Sequence, residues 1–156
     1  MDIDLKEHEL RVFGALIEKE ITTPEYYPLS LNALMAACNQ KSNREPVMNL
    51  TEDEVSEALS SLRDNKLVWQ LSTAGGRVPK FEHNIRSLFT FTKAETAVLC
   101  VLMLRGAQTA GEIKGRTERM YSFSNLQEVE ETLKGLISRE DGPFVKELPR
   151  QPGKKE

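Results

Sequence analysis

Residues 54–62 of this 156-residue chain have a counterpart further along it. Glu54-Val55-Ser56-Glu57-Ala58-Leu59 is matched 74 positions later by Glu128-Val129-Glu130-Glu131-Thr132-Leu133. The apolar positions Val55, Leu59 and Leu62 recur as Val129, Leu133 and Leu136. Self-similarity at a fixed offset marks a structural unit used more than once. The length has room for two small domains, and the neighbouring segments test that division.

The first copy begins with a helix expected from about Leu5 to Glu20, on an apolar stripe of Leu5, Val12, Phe13, Leu16 and Ile17. Asp4 is placed to cap it, with Glu7 at the reciprocal position. Thr22-Thr23-Pro24 stops it. A second helix follows the cap Ser30 through Leu31, Leu34, Met35 and Cys38, and the polar loop from Asn39 to Asn49 ends it at Pro46. Thr51-Glu52-Asp53-Glu54 is a capping box that opens a third helix, ending near Asn65-Lys66. Leu67 to Leu71 and Arg77 to His83 are β-prone and flank Gly75-Gly76, which predicts a hairpin.

The order then starts again. Thr92-Lys93-Ala94-Glu95 opens an apolar helix through Val98, Leu99, Leu102 and Met103, and Gly106 falls where a helix end wants glycine. Thr109-Ala110-Gly111-Glu112 opens a short helix with Ile113. A third helix is predicted from Ser124 or Asn125, and Phe144 to Leu148 begins a strand before Pro152-Gly153. Three helices followed by a two-stranded hairpin is the winged-helix order. The expected fold is therefore mainly α with small β-hairpins: two tandem winged-helix (helix-turn-helix) domains, residues 1–86 and 87–156. The second wing is expected to be incomplete, because the sequence ends at Glu156 where a return strand should begin. Either the chain is a piece of a longer one or a partner completes the sheet. Asn84 to Phe89 is too apolar for a loose linker, so Leu88, Phe89 and Phe91 are expected to pack between the halves.

Several long stretches also carry a resemblance. They are Tyr27-Pro28-Leu29-Ser30-Leu31-Asn32-Ala33-Leu34, Cys38 to Arg44, Leu104-Arg105-Gly106-Ala107-Gln108-Thr109, Arg119, and Leu148-Pro149-Arg150-Gln151-Pro152-Gly153. In these the chain resembles the YceH-like family of uncharacterised bacterial proteins over nearly its whole length. The resemblance implies tandem winged helices and brings no activity with it. In that family the last turn is followed by a segment resembling an Arg-Tyr-x-His-Leu strand, before which this chain stops.

Chemistry is sparse. There is no Gly-rich phosphate loop, no Gly-x-Ser-x-Gly and no His-Glu-x-x-His, and two histidines leave little room for a Ser-His-Asp set. Cys38 and Cys100 lie in apolar helical stretches, as buried small hydrophobes do. Glu52, Asp53 and Glu54 suit a helix first turn better than an acid–base site. No catalytic residue, cofactor or metal site is expected. No apolar run approaches the roughly 18 residues of a membrane span. The acidic start lacks a signal-peptide profile, so a cytoplasmic, non-catalytic binding protein is expected.

The partner is a choice between duplex DNA and protein. Residues 1–90 carry 10 Lys/Arg against 14 Asp/Glu, whereas residues 91–156 carry 11 against 10. A winged helix usually lays its third helix in the major groove, and the acidic start of helix 51–65 opposes that in the first half. The second half is better suited. Lys114, Arg116 and Arg119 precede its third helix, with Tyr121 and Phe123 between, and Asn125 and Gln127 stand at that helix's start. Lys41 and Arg44 in the first half's loop, with Arg77 and Lys80 on its wing, could form a second polar patch. The alternative is a protein-interaction scaffold, including a homodimer, that uses the acidic third helices and the wing edges.

Overall fold

The structure, a computed structural model, describes residues 5–72 and 78–139, and for Ser87 the backbone only. It is mainly helical. The order is α1 (Glu7–Thr22), α2 (Leu31–Cys38), α3 (Glu52–Asp64), β1 (Val68–Leu71), β2 (Lys80–His83), α4 (Ile85–Leu88), α5 (Lys93–Arg105), α6 (Ala110–Arg116) and α7 (Leu126–Ile137).

Local chemistry explains most of the boundaries. Ser30, Thr51, Thr92 and Thr109 cap α2, α3, α5 and α6, each side chain accepting from the backbone N–H three residues on. At α3 the exchange is reciprocal: Glu54 N–H donates to Thr51 Oγ1 at 3.1 Å and Thr51 N–H to Glu54 Oε1 at 2.9 Å. Gly106 ends α5 at φ 77°, where any side chain is strained. The start of α1 differs from the expectation. Lys6 is the N-cap, and its N–H donates to Glu9 Oε1 at 2.9 Å, so Glu9 rather than Glu7 holds the reciprocal place. Asp4 lies outside the described residues, as do the hairpin turn 73–77 and the whole second wing expected from Phe144.

β1 and β2 pair antiparallel, with Val68 opposite His83 and Leu71 opposite Lys80. On the other side of β2, Leu29 exchanges two backbone bonds with Phe81. One cluster of buried side chains joins α1, α2, α3 and the hairpin, around Val12, Leu16, Leu34, Val55, Leu62 and Val68. A second gathers Val98, Leu99, Ile113, Phe123, Val129 and Leu136. The repeated positions thus do the same job twice: Val55 and Leu62 are buried in the first cluster, Val129 and Leu136 in the second.

The two clusters meet along α1 and α5. Cys100 and Leu104 of α5 belong to the first cluster, and Cys100 Sγ donates to the Gly14 carbonyl at 3.3 Å. Leu88, Phe89 and Phe91 pack on the first cluster, and Phe91 touches both. Its ring lies 5.5 Å from that of Phe89 and under the Arg139 guanidinium. The short helix α4 was not expected from the sequence.

Burial has a pH consequence beside α1. His83 is enclosed by Phe13 and Tyr27, with Nε2 2.7 Å from Glu20 Oε1 and Nδ1 accepting from Ile85 N–H. An Nδ1 acceptor fixes the proton on Nε2, so the neutral ring donates to Glu20. Burial holds His83 below its usual value, although the Glu20 bond pulls the other way. A depressed histidine stabilises the fold above its unfolded pKa and loses that contribution as pH falls through the window beneath. Stability is therefore expected to drop from about pH 6.5 downward, near the unperturbed histidine value. Denaturant unfolding at pH 7 and pH 5 should show that slope in the native protein and a flatter one in His83→Gln.

Candidate nucleic-acid interface

Two buried charges organise the ground beneath the cationic cluster. Glu18 of α1 is 1% exposed, and Arg44 of the α2–α3 loop clasps it with Nη2 at 2.8 Å and Nη1 at 3.0 Å. Burial by itself raises the Glu18 carboxyl, but the Arg44 bonds and charge, helped by Lys19 and Arg119, hold it below the usual carboxylate range. Arg44 also donates to the Ala37 and Asn43 carbonyls. It sits inside the fold, 3% exposed, rather than on the loop surface where the sequence reading placed it.

Arg11, about two turns before Glu18 on α1, is 1% exposed and, among the described residues, meets no carboxylate in its hydrogen bonds. It donates to the carbonyls of Cys38, Pro46 and Leu104 at 3.1, 2.6 and 3.4 Å. Cys38 is the last residue of α2, and Leu104 is next to last in α5. The guanidinium therefore faces the negative ends of two helices, which supply the partner a carboxylate would otherwise be. Burial pushes the neighbouring Cys38 thiol up to about 12, which makes it a poor nucleophile.

Upon this base stand the surface cations. Arg119 reaches from the α6–α7 connection to Glu18 Oε2 at 3.2 Å while remaining 45% exposed. Arg116 bonds Gln108 Oε1 at 3.2 Å and lies 3.4 Å from Glu112. Gln108 in turn donates to the Val101 and Gly106 carbonyls, which hangs Arg116 over the end of α5. There Arg105 donates to Asn43 Oδ1 at 3.1 Å. Lys114, two residues before Arg116 on α6, is partly exposed, and Lys41 is exposed on the α2–α3 loop.

The other residues expected at an interface are placed differently. Asn125 caps α7, its Oδ1 accepting from Glu128 N–H at 2.9 Å, and so that oxygen is not open to a base edge. Gln127 is exposed and donates to Glu131. Tyr121 donates to Glu128, and Phe123 is core. Lys80 starts β2 opposite Leu71, and Arg77 lies outside the described residues. Among the described residues no three His, Cys, Asp or Glu side chains gather as a metal would need, and no helix is long and apolar enough to cross a membrane.

Comparison with known proteins places the whole assembly in one lineage. A family model described as "Protein of unknown function, DUF480" matches residues 5–154. The chain belongs to that family. A UPF0502 protein of Koribacter versatilis is 54% identical over 156 residues, covering all of this chain and 72% of its own length. One from Citrifermentans bemidjiense has the same figures, and one from Enterobacter sp. (strain 638) is 52% identical over 160 residues and covered over 74% of its length. The DUF480 match takes in the α2–α3 loop and the α5–α6 turn together, so the residues that meet at the cluster all fall within it.

Sequence reasoning missed Arg105, Arg11 and Glu18. Arg105 had a signal in its place just before a helix-ending Gly106 and a fresh capping box. Arg11 and Glu18 stand seven positions apart, hence on one face of α1, and a charged pair so spaced within an apolar helix is a cue for a second buried face.

Proposed function

We propose that this chain is a non-catalytic nucleic-acid-binding protein made of two winged-helix units, residues 1–86 and 87–156, and that duplex DNA is held mainly by its second half. The observation that carries this reading is that Arg105, bonded to Asn43 of the α2–α3 loop, lies near enough to Arg116 and Arg119 to feel both charges. Three guanidinium groups on one surface suit phosphate oxygens, which arginine can grip with two parallel bonds.

The contact is backbone-led. Glu128, Glu130 and Glu131 line the start of α7, and Asn125 is engaged as its cap, so this helix is poorly equipped to read base edges. The acidic first turn of α3 likewise disfavours a major groove.

Fluorescence anisotropy of a labelled random duplex at about 50 and 200 mM salt tests this, since counterion release weakens phosphate contacts across that range. The native protein is compared with Lys114→Glu, Arg116→Glu, Arg119→Gln. Glutamine at 119 avoids setting a second carboxylate against buried Glu18, and thermal unfolding checks the fold. Binding is expected to fall with salt, with a slope of log K against log salt that shrinks by about 2–3 in the variant, near 0.9 per lost contact. No binding at the lower salt would overturn the reading and direct attention to a protein partner for the exposed acids Glu52, Asp53 and Glu57 of α3.

A further inference from the structure

Resting on the nucleic-acid reading above, we propose that Arg105, Arg116 and Arg119 form a single seat for one backbone phosphate. The seat is completed by the α2–α3 loop, so that the first half shapes the contact made by the second.

The three side chains reach this place by different routes, and each is held short of its neighbours by a polar tether. Gln108 fixes Arg116 over Gly106, immediately beside Arg105. Asn43 fixes Arg105 from the loop. The residue next to Asn43 is Arg44, which shares Glu18 with Arg119. The tethers therefore run in a chain from Gln108 round to Glu18, with three partly exposed guanidinium groups along it. Asn43 adopts φ 58°, a left-handed conformation that asparagine tolerates better than most residues. The loop is pinned besides by Glu45 N–H donating to the Leu104 carbonyl at 3.0 Å.

Charge at this point is out of balance. Arg44, Arg105, Arg116 and Arg119 face one buried acid, Glu18, with Glu112 beside Arg116 and Glu45 near Arg105. Burial first, and then the charges of Arg116, Arg44 and Arg119, hold Arg105 below its ordinary value. Arg105 and Arg116 hydrogen-bond the neutral side chains of Asn43 and Gln108, and Arg119 shares Glu18 with Arg44, so the excess of positive charge is relieved by an added anion. A phosphate presents oxygens to several donors at once, as a duplex backbone does.

The test uses the whole chain and two probes. The first is the labelled duplex, bound by native protein, Arg105→Ala and Lys93→Ala, the last removing the same charge at the far end of α5, roughly 18 Å away by helix rise. Arg105→Ala is expected to weaken binding about 5-fold or more at low salt and to reduce the salt slope by about 0.9, whereas Lys93→Ala leaves both within error. Equal effects from the two would overturn the seat while leaving nucleic-acid binding in place. The second probe is inorganic phosphate, followed through the arginine Nε–H signals by NMR. Saturable shifts at Arg105, Arg116 and Arg119 that disappear in Arg105→Ala support the seat even if no duplex binds. Small, unsaturated shifts common to all arginines would overturn it.

Discussion

Arg44→Ala is expected to cost about 3–5 kcal/mol, the range for stripping one partner from a buried ion pair. Among the described residues, Glu18 would keep Lys19, 3.5 Å from Oε1, and the half-exposed Arg119. Neither replaces two short bonds from a side chain that is itself fully buried. The carbonyls of Ala37 and Asn43 lose a donor in the same step. A loss of this size is a large part of the 5–15 kcal/mol that usually separates a folded domain from its unfolded chain. Urea unfolding at neutral pH measures it. The double change Glu18→Gln, Arg44→Met removes both members of the pair together, leaving neither without its partner, and should cost clearly less than Arg44→Ala alone. If Arg44→Ala costs under about 1 kcal/mol, the interior ion pair is not what fastens the loop. The pair also has a pH signature. A carboxylate held below its ordinary range stabilises the fold above that range and stops doing so as pH falls, here beneath roughly 4.5, so Glu18→Gln should lose less between pH 5 and pH 3 than the native protein.

What the sequence made legible, and what it hid, divides along α1. Capping boxes, glycine stops and the 74-residue offset are local or periodic signals, and they located α2, α3, α5, α6 and α7 closely. The apolar stripe of α1 was equally plain, and Val12, Phe13, Leu16 and Ile17 are all buried. Its opposite face reads as charged and so suggests water. Yet every residue from Arg11 to Glu18 is buried, because α5 and the α2–α3 loop lie against that face. Periodicity reports which side of a helix is greasy. It cannot report that a charged side has been matched, through helix ends and one ion pair, to another part of the chain. The basic cluster was half visible for the same reason: Lys114, Arg116 and Arg119 are neighbours in sequence, whereas Arg105 joins them only through tertiary contact. Arg44 looked like a loop cation because nothing local distinguishes an arginine that turns inward.

Gly14→Val is expected to destabilise the protein by about 3 kcal/mol, the upper part of the usual range for overpacking a core. Gly14 lies on the face of α1 that meets α5. A Cβ there would stand 3.0 Å from Leu104 Cδ2, 3.1 Å from Leu104 Cγ and 3.1 Å from Met103 Cβ. Met103 Cβ is fixed by its backbone and cannot swing aside, and Leu104 Cγ moves only if a buried leucine changes its χ1 rotamer, so relief requires the helices to part. Two effects compete in the milder change to alanine. Helix propensity favours alanine over glycine by about 1 kcal/mol, while the crowding opposes it. Crowding should win, leaving Gly14→Ala slightly destabilised. Gly115 in α6 supplies the contrast, because a Cβ there meets nothing within 4 Å. Gly115→Ala should therefore stabilise by up to about 1 kcal/mol. Measured side by side, the two alanine variants separate propensity from packing. If both stabilise, α1 and α5 are not in close apposition in solution, and the coupling between loop, ion pair and cationic cluster falls with that contact. If Gly14→Ala destabilises and Gly115→Ala does not, the two helices are locked at the distance that lets Arg11 and Arg44 serve both halves of the chain.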